Sequence, residues 1–206
     1  MVDVIVVTFN VRGLRQNIKR RTIFRYWHQQ YADPIAVLQE THSAPQDSSF
    51  WQAEWGAPIM FYHGPNTCEA GVAIMLPRSL AGRCNATVSY DSGNGRLLIL
   101  NIDYGQVTIA LFAAYALTQS HAQEQVTFLT LLQTKLRDLM PEYGGHILLA
   151  GDFNLHLSKL DVQNCRFRLS QAGQLLNDIL SNMSLVDVWR DRYKERTRYT
   201  WRRYVQ

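Results

Sequence analysis

Few features of this sequence suggest disulfides, zinc sites or membrane spans. Its three cysteines, Cys68, Cys84 and Cys165, are odd in number, widely separated and not grouped with histidines at zinc-finger spacing. We therefore expect reduced thiols and no structural metal. No stretch approaches the roughly 20 apolar residues of a membrane span, and no charged region followed by an apolar one stands at the start. We predict an intracellular protein with no membrane partner.

Several common catalytic motifs are also missing. The sequence has no glycine-rich phosphate loop, no GxSxG elbow and no HExxH helix, and its cysteines and serines offer no local support for Cys/His or Ser/His/Asp catalysis. It has no internal repeat, low-complexity segment or Gly/Ser linker either. Because 47% of the 206 residues are apolar, the chain can bury a sizeable core. We predict one domain over residues 1–206.

The stretch from Leu148 to Asn154 reads Leu-Leu-Ala-Gly-Asp-Phe-Asn. Its apolar run predicts a buried strand, Gly151 permits a sharp turn, and the two-residue period of extended backbone points Asp152 and Asn154 the same way. A carboxylate beside a carboxamide suits water activation next to a phosphate, because Asp can accept a proton or hold a divalent cation. The alternative is a strand followed by an ordinary Asx turn.

Three further polar residues stand at or just after the ends of apolar runs that predict strands. They are Asn10, Glu40 and Tyr115. An acidic residue as close to four apolar ones as Glu40 is costly to bury unless it is paired or holds a cation. The sequence thus indicates polar side chains at several strand ends, where α/β and α+β folds commonly place site residues.

Predicted strands outnumber predicted helices. Hairpin-like strands joined by tight turns fill the middle of the chain, and helix-bearing connections lie on either side of them. This order favours an α+β or mixed sandwich over a doubly wound parallel sheet. Strands are predicted at residues 4–9, 35–38, 71–76, 88–90, 96–104, 107–115 and around 148–151, and helices at residues 17–31, at residues 120–140 and after Ser170.

The net charge of +4 is unevenly distributed along the chain. Two basic clusters flank a middle that is net acidic, which suits a polyanionic substrate gripped outside the reactive centre. The alternative is that these runs are solvated faces. Aromatic residues interleave with the second cluster and could stack on sugars or bases. The first cluster is Arg12, Arg15, Lys19, Arg20, Arg21 and Arg25, and the second is Arg190, Arg192, Lys194, Arg196, Arg198, Arg202 and Arg203, with Tyr193, Tyr199, Trp201 and Tyr204 among them.

Six short segments stand in order along the chain and read Phe9-Asn10-Val11-Arg12-Gly13-Leu14, Leu38-Gln39-Glu40-Thr41-His42, Gly71-Val72-Ala73-Ile74, Gly151-Asp152-Phe153-Asn154, Leu185-Val186-Asp187-Val188-Trp189-Arg190 and Tyr199-Thr200-Trp201. Together they resemble the endonuclease/exonuclease/phosphatase superfamily. They are most similar to the endonuclease domain of LINE-type non-LTR retrotransposons. The resemblance spans nearly the whole chain, and six segments in order are far more specific than any one alone.

That resemblance implies an α/β, DNase I-like fold, a four-layer αββα sandwich of two packed mixed sheets with outer helices. It implies metal-dependent hydrolysis of one DNA phosphodiester, with Mg²⁺ or Mn²⁺ as cofactor. The implied metal ligands are Glu40, Asn10 and Asp152.

The resemblance also implies a role for each site residue. Asp152 would position or deprotonate the attacking water, and Asn154 would orient that water or the phosphate. Tyr115 would hydrogen-bond a phosphate oxygen, and Thr200 matches a family residue near the phosphate. Arg96 matches a recurrent family position, with a structural ion pair as its alternative role. The candidate catalytic residues are Asp152, Asn154, Tyr115, Asn10 and Thr200, and the candidate nucleic-acid-binding residues are Arg12, Arg15, Arg96, Arg198, Arg202 and Arg203.

In the same way, the resemblance implies target-site nicking of DNA by a retrotransposon, a nuclear location and a reverse transcriptase domain on the same polyprotein. Two alternatives stay open, a repair-type apurinic endonuclease or exonuclease III activity and a catalytically dead DNA-binding remnant. After Tyr-Thr-Trp the family continues to a Ser-Asp-His-like motif, whereas this sequence stops at Gln206. We therefore expect a fragment or a degenerate copy that lacks the last strand or strands and self-associates through an open sheet edge.

Overall fold

The computed structural model of the chain describes residues 4–31, 33–139, 144–162, 167–197 and 199. The chain forms two compact units, one made of Met1–Tyr115 and Tyr143–Phe153 and the other of Ala116–Glu142 and Asn154–Gln206. The first unit contains β1 (Val6–Asn10), α1 (Asn17–Gln30), β2 (Ile35–Gln39), α2 (Asp47–Trp55), β3 (Ile59–Tyr62), β4 (Val72–Met75), β5 (Asn85–Asp91), β6 (Leu97–Tyr104), β7 (Val107–Tyr115) and β8 (His146–Asp152). The second contains α3 (Ala122–Leu139), α4 (Gln171–Asn182) and α5 (Val188–Arg192), with short 3₁₀ turns at Gln119–His121 and Lys159–Asp161.

The strands of the first unit form two four-stranded mixed sheets. The strand order is β1-β2-β4-β3 in the first sheet and β5-β6-β7-β8 in the second. In each sheet one pair of strands is parallel, β1 with β2 and β7 with β8, and the other neighbours are antiparallel. Since parallel neighbours end at the same edge, each sheet brings two carboxyl-terminal strand ends together.

The alternating side chains of β2 explain how the layers of the first unit pack. Ile35 and Val37 belong to a core cluster that also contains apolar residues of β4, β6 and β7. Ala36 and Leu38 belong to a second cluster with apolar residues of α1 and α2. Successive strand residues point to opposite faces, so β2 is covered by the second sheet on one face and by helices on the other. Each large apolar side chain buried there contributes about 1.5–3 kcal/mol.

Aromatic side chains of α1 and α2 cover the first sheet. Phe24 and Trp27 on α1 are buried together with Trp51 and Trp55 on α2. The rings of Phe24 and Trp55 meet edge to face with centroids 5.3 Å apart, a geometry that adds about 0.5–1.5 kcal/mol to area burial. The indole N–H of Trp55 donates to the carbonyl of Leu76 at 2.7 Å. The helical layer is therefore a packed aromatic core in which the Trp55 indole has a hydrogen-bond acceptor.

Helices α3 and α4 pack against each other in the second unit. Helix α3 buries Leu129, Leu132 and Leu136, whose spacing places them on one helical face. Helix α4 begins after Ser170, whose side-chain oxygen accepts a hydrogen bond from the backbone N–H of Gly173 at 3.0 Å. Ser170 is thus the N-cap of the helix that the sequence predicts after it.

The prediction of an α/β fold with two mixed sheets and helices is confirmed. Strand β7 spans the predicted residues 107–115, whereas β3 and α5 were not predicted and β5 begins at Asn85 rather than at residue 88. The apolar run before Asn10 predicts a buried strand, but Thr8 and Phe9 are exposed. Among the described strands, β1 lies at a sheet edge and pairs with β2 alone. The single domain over residues 1–206 stays a prediction.

Two further expectations concern the state of the cysteines and the absence of membrane-spanning segments. Cys68 and Cys84 are free thiols, and Cys165 lies outside the described residues. In the part of the chain that the structure describes, no helix is both long enough and apolar enough to cross a membrane.

Candidate active site

Four of the predicted site residues lie together where the parallel strand pairs of the two sheets end. Asn10 is the last residue of β1 and Glu40 directly follows β2 in the first sheet. Tyr115 and Asp152 end β7 and β8 in the second sheet, where they form the last pair of the register. Two separate sheets thus contribute one pair of polar residues each.

Hydrogen bonds connect the two pairs across the sheets. The Asn10 Nδ2 donates to Glu40 Oε1 at 2.8 Å and to Asp152 Oδ2 at 3.0 Å. The hydroxyl of Tyr115 donates to the same Glu40 Oε1 at 2.7 Å. One amide nitrogen therefore spans both carboxylates, and Glu40 receives one donor from each sheet.

This arrangement places two carboxylates side by side, which repel each other when both are ionised. The amide hydrogens of Asn10 and the hydroxyl of Tyr115 offset part of that repulsion, because hydrogen bonds to a charged acceptor are stronger than neutral ones. Burial raises the pKa of Tyr115, and the hydrogen bond to Glu40 and the negative charge of Glu40 raise it further. The tyrosine is consequently a protonated donor at neutral pH.

The backbone around Glu40 is strained and held on several sides. Glu40 has a φ of 54°, in the left-handed region that non-glycine residues seldom adopt. Its carbonyl accepts a hydrogen bond from the N–H of Gly13 at 2.6 Å, and the next N–H, of Thr41, donates to the carbonyl of Gly71 at 3.1 Å. The imidazole of His42 lies 4.0 Å from Glu40 Oε2. Neighbouring loops thus fix the carboxylate rather than leave it on a free turn.

A glycine sets the position of Asp152. Gly151 has a φ of 157°, and a Cβ at this residue would collide with the carbonyl oxygen of Ala114 on β7. Close approach of the two backbones requires a residue without a side chain here. The glycine of the Gly-Asp-Phe-Asn segment therefore allows β8 to pair closely with β7 just before its carboxylate.

The donor set fits a divalent cation such as Mg²⁺, because Glu40 and Asp152 supply the carboxylate oxygens that such ions prefer. The described residues contain no group of three or more His, Cys, Asp or Glu side chains that could hold an ion. An ion here would keep several waters, as Mg²⁺ commonly does. Asn10 turns its amide nitrogen toward the carboxylates, while its Oδ1 accepts from the backbone N–H of Arg12 at 3.1 Å. Ligation by Asn10 stays a prediction and requires its amide to rotate.

Asn154 belongs to the second unit. Its φ is 50°, and its Nδ2 donates to the carbonyl of Ala116 at 2.9 Å. A buried glutamine on α3, Gln125, donates to the carbonyl of Asn154 at 3.3 Å. Sequence reasoning missed Gln125, because one glutamine in a helical pattern gives no signal of burial.

Arg96 lies beside Tyr115 in the first unit. Its guanidinium carbon is 5.0 Å from the centre of the Tyr115 ring, and its Nη1 is buried without a hydrogen-bond partner in the described part of the chain. Arg96 forms no salt bridge with any described residue, so the alternative role as a structural ion-pair residue finds no partner there. A buried donor of this kind is costly unless something accepts its hydrogen bond.

Much of the first basic cluster is already paired with α2. Arg15 contacts Asp47 at 3.2 Å, and Arg20 and Arg21 both contact Glu54. Arg20 is only 1% exposed, so this member is part of the core and not of a DNA-binding face, whereas Arg12 is exposed.

The second basic cluster lies largely at the end of the chain. Arg190 contacts Asp161 at 2.6 Å, and the guanidinium of Arg196 lies 5.5 Å from the centre of the Tyr193 ring. Four predicted site residues lie outside the described residues: Arg198, Thr200, Arg202 and Arg203.

Comparison with known proteins identifies the family. Residues 7–205 match the model of the Endonuclease/Exonuclease/phosphatase family. The chain therefore belongs to this family, whose members are metal-dependent phosphodiesterases and nucleases. The resemblance drawn from the six sequence segments is confirmed at this level.

A transposon protein is among the relatives. The sequence is 26% identical over 196 residues to the Transposon TX1 uncharacterized 149 kDa protein of Xenopus laevis. The match covers 95% of this chain and 14% of that protein, so the chain spans a small part of its relative's length. A match to a transposon protein is consistent with the resemblance of the six segments to the endonuclease domain of LINE-type retrotransposons.

Two solved structures share the fold. A truncated TDP2 of Caenorhabditis elegans superposes with a TM-score of 0.56 at 20% identity, covering 73% of this chain and 62% of that one. Selenomethionine TDP2 from the same organism gives 0.55 at 20% identity, covering 74% and 48%. At this identity the likeness concerns the fold alone, and it agrees with the predicted DNase I-like α/β architecture.

Proposed function

We propose that this domain is a metal-dependent DNA endonuclease that hydrolyses one phosphodiester bond and so nicks one strand. The observation that carries the proposal is the Asn10 amide that joins Glu40 of one sheet to Asp152 of the other. In a family of metal-dependent phosphodiesterases, two carboxylates held side by side can hold a metal ion and activate a water.

Each residue of the cluster has a chemical task in this proposal. Glu40 and Asp152 hold Mg²⁺ or Mn²⁺, and such an ion supplies positive charge for the pentacovalent phosphate. Asp152 also orients and deprotonates the attacking water, while Asn10 keeps both carboxylates in place. Tyr115, whose raised pKa keeps it protonated, donates to a phosphate oxygen. By family position, Asn154 and Thr200 orient the water or the phosphate.

Arginines hold the DNA backbone in this proposal. The buried Nη1 of Arg96 has no hydrogen-bond partner among the described residues, and this supports a phosphate contact, because a phosphate oxygen would accept its hydrogen bond. Arg12 is exposed two residues after Asn10, and Arg15 is exposed while its Nε contacts Asp47. The tail arginines Arg198, Arg202 and Arg203 add positive charge that attracts the phosphates.

The biological role in this proposal is target-site nicking by a retrotransposon. The transposon relative supports it, as does the small share of that relative that the chain covers. A reverse transcriptase domain on the same polyprotein and a nuclear location belong to the same proposal. Self-association would use an open sheet edge, and β1, β3, β5 and β8 are edge strands in the described sheets.

Cleavage of two DNA substrates in Mg²⁺ tests the proposal, a supercoiled plasmid and a duplex oligonucleotide with one abasic site. We expect open circles from the undamaged plasmid. Cleavage confined to the abasic duplex would identify a repair-type apurinic endonuclease, and binding of both without cleavage would identify a DNA-binding remnant. Asp152→Asn should lose the activity, whereas Asp103→Asn, at an exposed position on β6, should retain it.

A further inference from the structure

Gln125 is a buried polar side chain on α3, with 1% of its surface exposed. Its Nε2 donates to the carbonyl of Leu117 at 2.7 Å and to the carbonyl of Asn154 at 3.3 Å. A buried amide donor that loses its acceptors destabilises the folded state. The bonds to these two carbonyls are therefore part of what allows a glutamine to be buried here.

These carbonyls belong to the two chain segments that leave β7 and β8. The backbone pairing of the two strands ends at Tyr115 and Asp152. Beyond that pair, the side chain of Asn154 donates to the carbonyl of Ala116 at 2.9 Å, and Gln125 donates to the carbonyl of Leu117 on one segment and of Asn154 on the other. The side-chain amides of Asn154 and Gln125 thus supply hydrogen bonds to these segments beyond the last backbone pair of the two strands.

Asn154 needs such support because of its backbone. A φ of 50° lies in the left-handed region, which non-glycine residues adopt only at an energetic cost, although Asn tolerates it better than most. Such a conformation persists only when surrounding contacts fix it. The bond from Gln125 to the carbonyl of Asn154 is one of those contacts, and it acts on the backbone that sets the direction of the Asn154 side chain.

We infer that Gln125 is a positioning residue that holds Asn154 in the orientation needed for strand cleavage. The inference rests on the proposed function, in which Asn154 orients the attacking water or the phosphate. Loss of the Gln125 donor would misplace the Asn154 carboxamide without removing it. A misplacement of about 1 Å far from the chemistry can cost roughly 100-fold in rate, so turnover should fall while DNA affinity stays the same.

A double-mutant cycle with Asn154 tests the inference. Single-turnover nicking of supercoiled plasmid in Mg²⁺ is measured for Gln125→Met, Asn154→Ala and the double variant, with Gln123→Met at an exposed position on α3 as the control. We expect Gln125→Met to slow nicking roughly 10- to 100-fold at unchanged DNA affinity. The double variant should be no slower than Asn154→Ala, since one residue acts through the other. Effects that multiply, or a Gln125→Met rate equal to that of Gln123→Met, would overturn the inference.

The side-chain amide signals of Asn154 in NMR spectra provide a readout that needs no cleavage. We expect them to be dispersed in the wild type and in Gln123→Met, and to move toward unfolded-peptide positions in Gln125→Met. Unchanged signals in Gln125→Met would contradict the inference. If Asn154→Ala cuts as fast as the wild type, the role of Asn154 in the proposed function fails, and the NMR result still decides whether Gln125 orients it.

A conservative variant separates positioning from a purely structural effect. Gln125→His keeps a side-chain N–H donor at this position, so it should cut faster than Gln125→Met at a similar thermal unfolding midpoint. Equal nicking rates for the two variants would reject the positioning role. So would a slower rate in Gln125→Met that is fully explained by a smaller folded fraction of that variant.

Discussion

Asn10 joins the two carboxylates of the candidate site through one nitrogen atom. Replacing Asn10 with Ala removes both hydrogen bonds and leaves two adjacent carboxylates without a shared donor. We expect Asn10→Ala to lower the single-turnover nicking rate by roughly 100-fold, comparable to losing one fixed donor in other active sites. Asn85→Ala, at an exposed position on β5, is the matched control. Wild-type rates in Asn10→Ala would show that the carboxylates do not need this bridge.

Arg20 and Arg21 share the carboxylate of Glu54 but differ in burial. Arg20 is buried and also donates to the carbonyl of Leu14 at 3.0 Å, whereas the Arg21 side chain is 63% exposed. We expect Arg20→Met to lower the free energy of unfolding by about 3 kcal/mol and Arg21→Met by less than about 1 kcal/mol. Urea unfolding of both variants measures this difference. Equal losses would mean that Arg20 is not a structural anchor.

The ion pair between Arg20 and Glu54 also makes the free energy of unfolding depend on pH in the acid range. The hydrogen bond from Arg20 is the main cause of the lowered pKa of Glu54, the bond from Arg21 adds to it, and burial opposes both. Because the folded carboxyl has the lower pKa, its contribution is complete above the unfolded value of about 4.3 and is lost as the pH falls through the folded pKa. Urea unfolding between about pH 5 and 3 should therefore show a smaller acid loss of stability in Arg20→Met than in the wild type.

At the scale of elements, the pairing of β7 with β8 depends on Gly151. An alanine there would collide with the carbonyl of Ala114, so Gly151→Ala should cost at least about 2 kcal/mol of unfolding free energy. Gly105→Ala is the matched control, since Gly105 also has a positive φ but no atom of a described residue lies within 4 Å of its Cβ position. That control should cost only about 1 kcal/mol. Similar losses in both variants, measured by urea unfolding, would refute close strand approach as the reason for Gly151.

The elements that sequence predicts best are those with local signals at both ends. Strand β7 follows a tight turn at Gly105 and has a long apolar run, so its range is predicted in full. Strand β3 covers only Ile59–Tyr62, and its four apolar or aromatic residues are too few to distinguish a strand from a buried helix segment by periodicity. The burial of Arg20 was missed because charge alone suggests a solvated face, whereas the acceptors at Leu14 and Glu54 come from tertiary packing.

The sequence predicts which residues make up the candidate site, but it does not predict how their side chains are arranged in space. Strand ends and family segments identify Asn10, Glu40, Tyr115 and Asp152. The bond from Asn10 to Asp152 joins residues 142 positions apart on two different sheets, and no local pattern encodes such a contact. The orientation of the Asn10 amide likewise depends on the backbone N–H of Arg12, which only the folded loop brings into place.

At the scale of the whole molecule, the basic residues set the dependence of DNA binding on salt. Replacing Arg198, Arg202 and Arg203 with Gln should weaken binding and lower the slope of log K against log salt by roughly one for each phosphate that the protein no longer neutralises. The control replaces Arg83, Arg137 and Arg168, which are exposed elsewhere on the chain. Filter binding at several salt concentrations gives both slopes. If the two triple variants have the same slope, the tail arginines form an ordinary solvated face.

The central claim is that Glu40 and Asp152 form a metal-dependent nicking site. Its most direct test is conversion of supercoiled plasmid to open circles by wild-type protein and Glu40→Gln, each in Mg²⁺ and in EDTA, with Glu69→Gln as a control at an exposed glutamate. We predict cutting by the wild type and by Glu69→Gln in Mg²⁺, none in EDTA, and at least a roughly 100-fold slower rate for Glu40→Gln. Cutting that persists in EDTA, or that is unchanged in Glu40→Gln, would contradict the account.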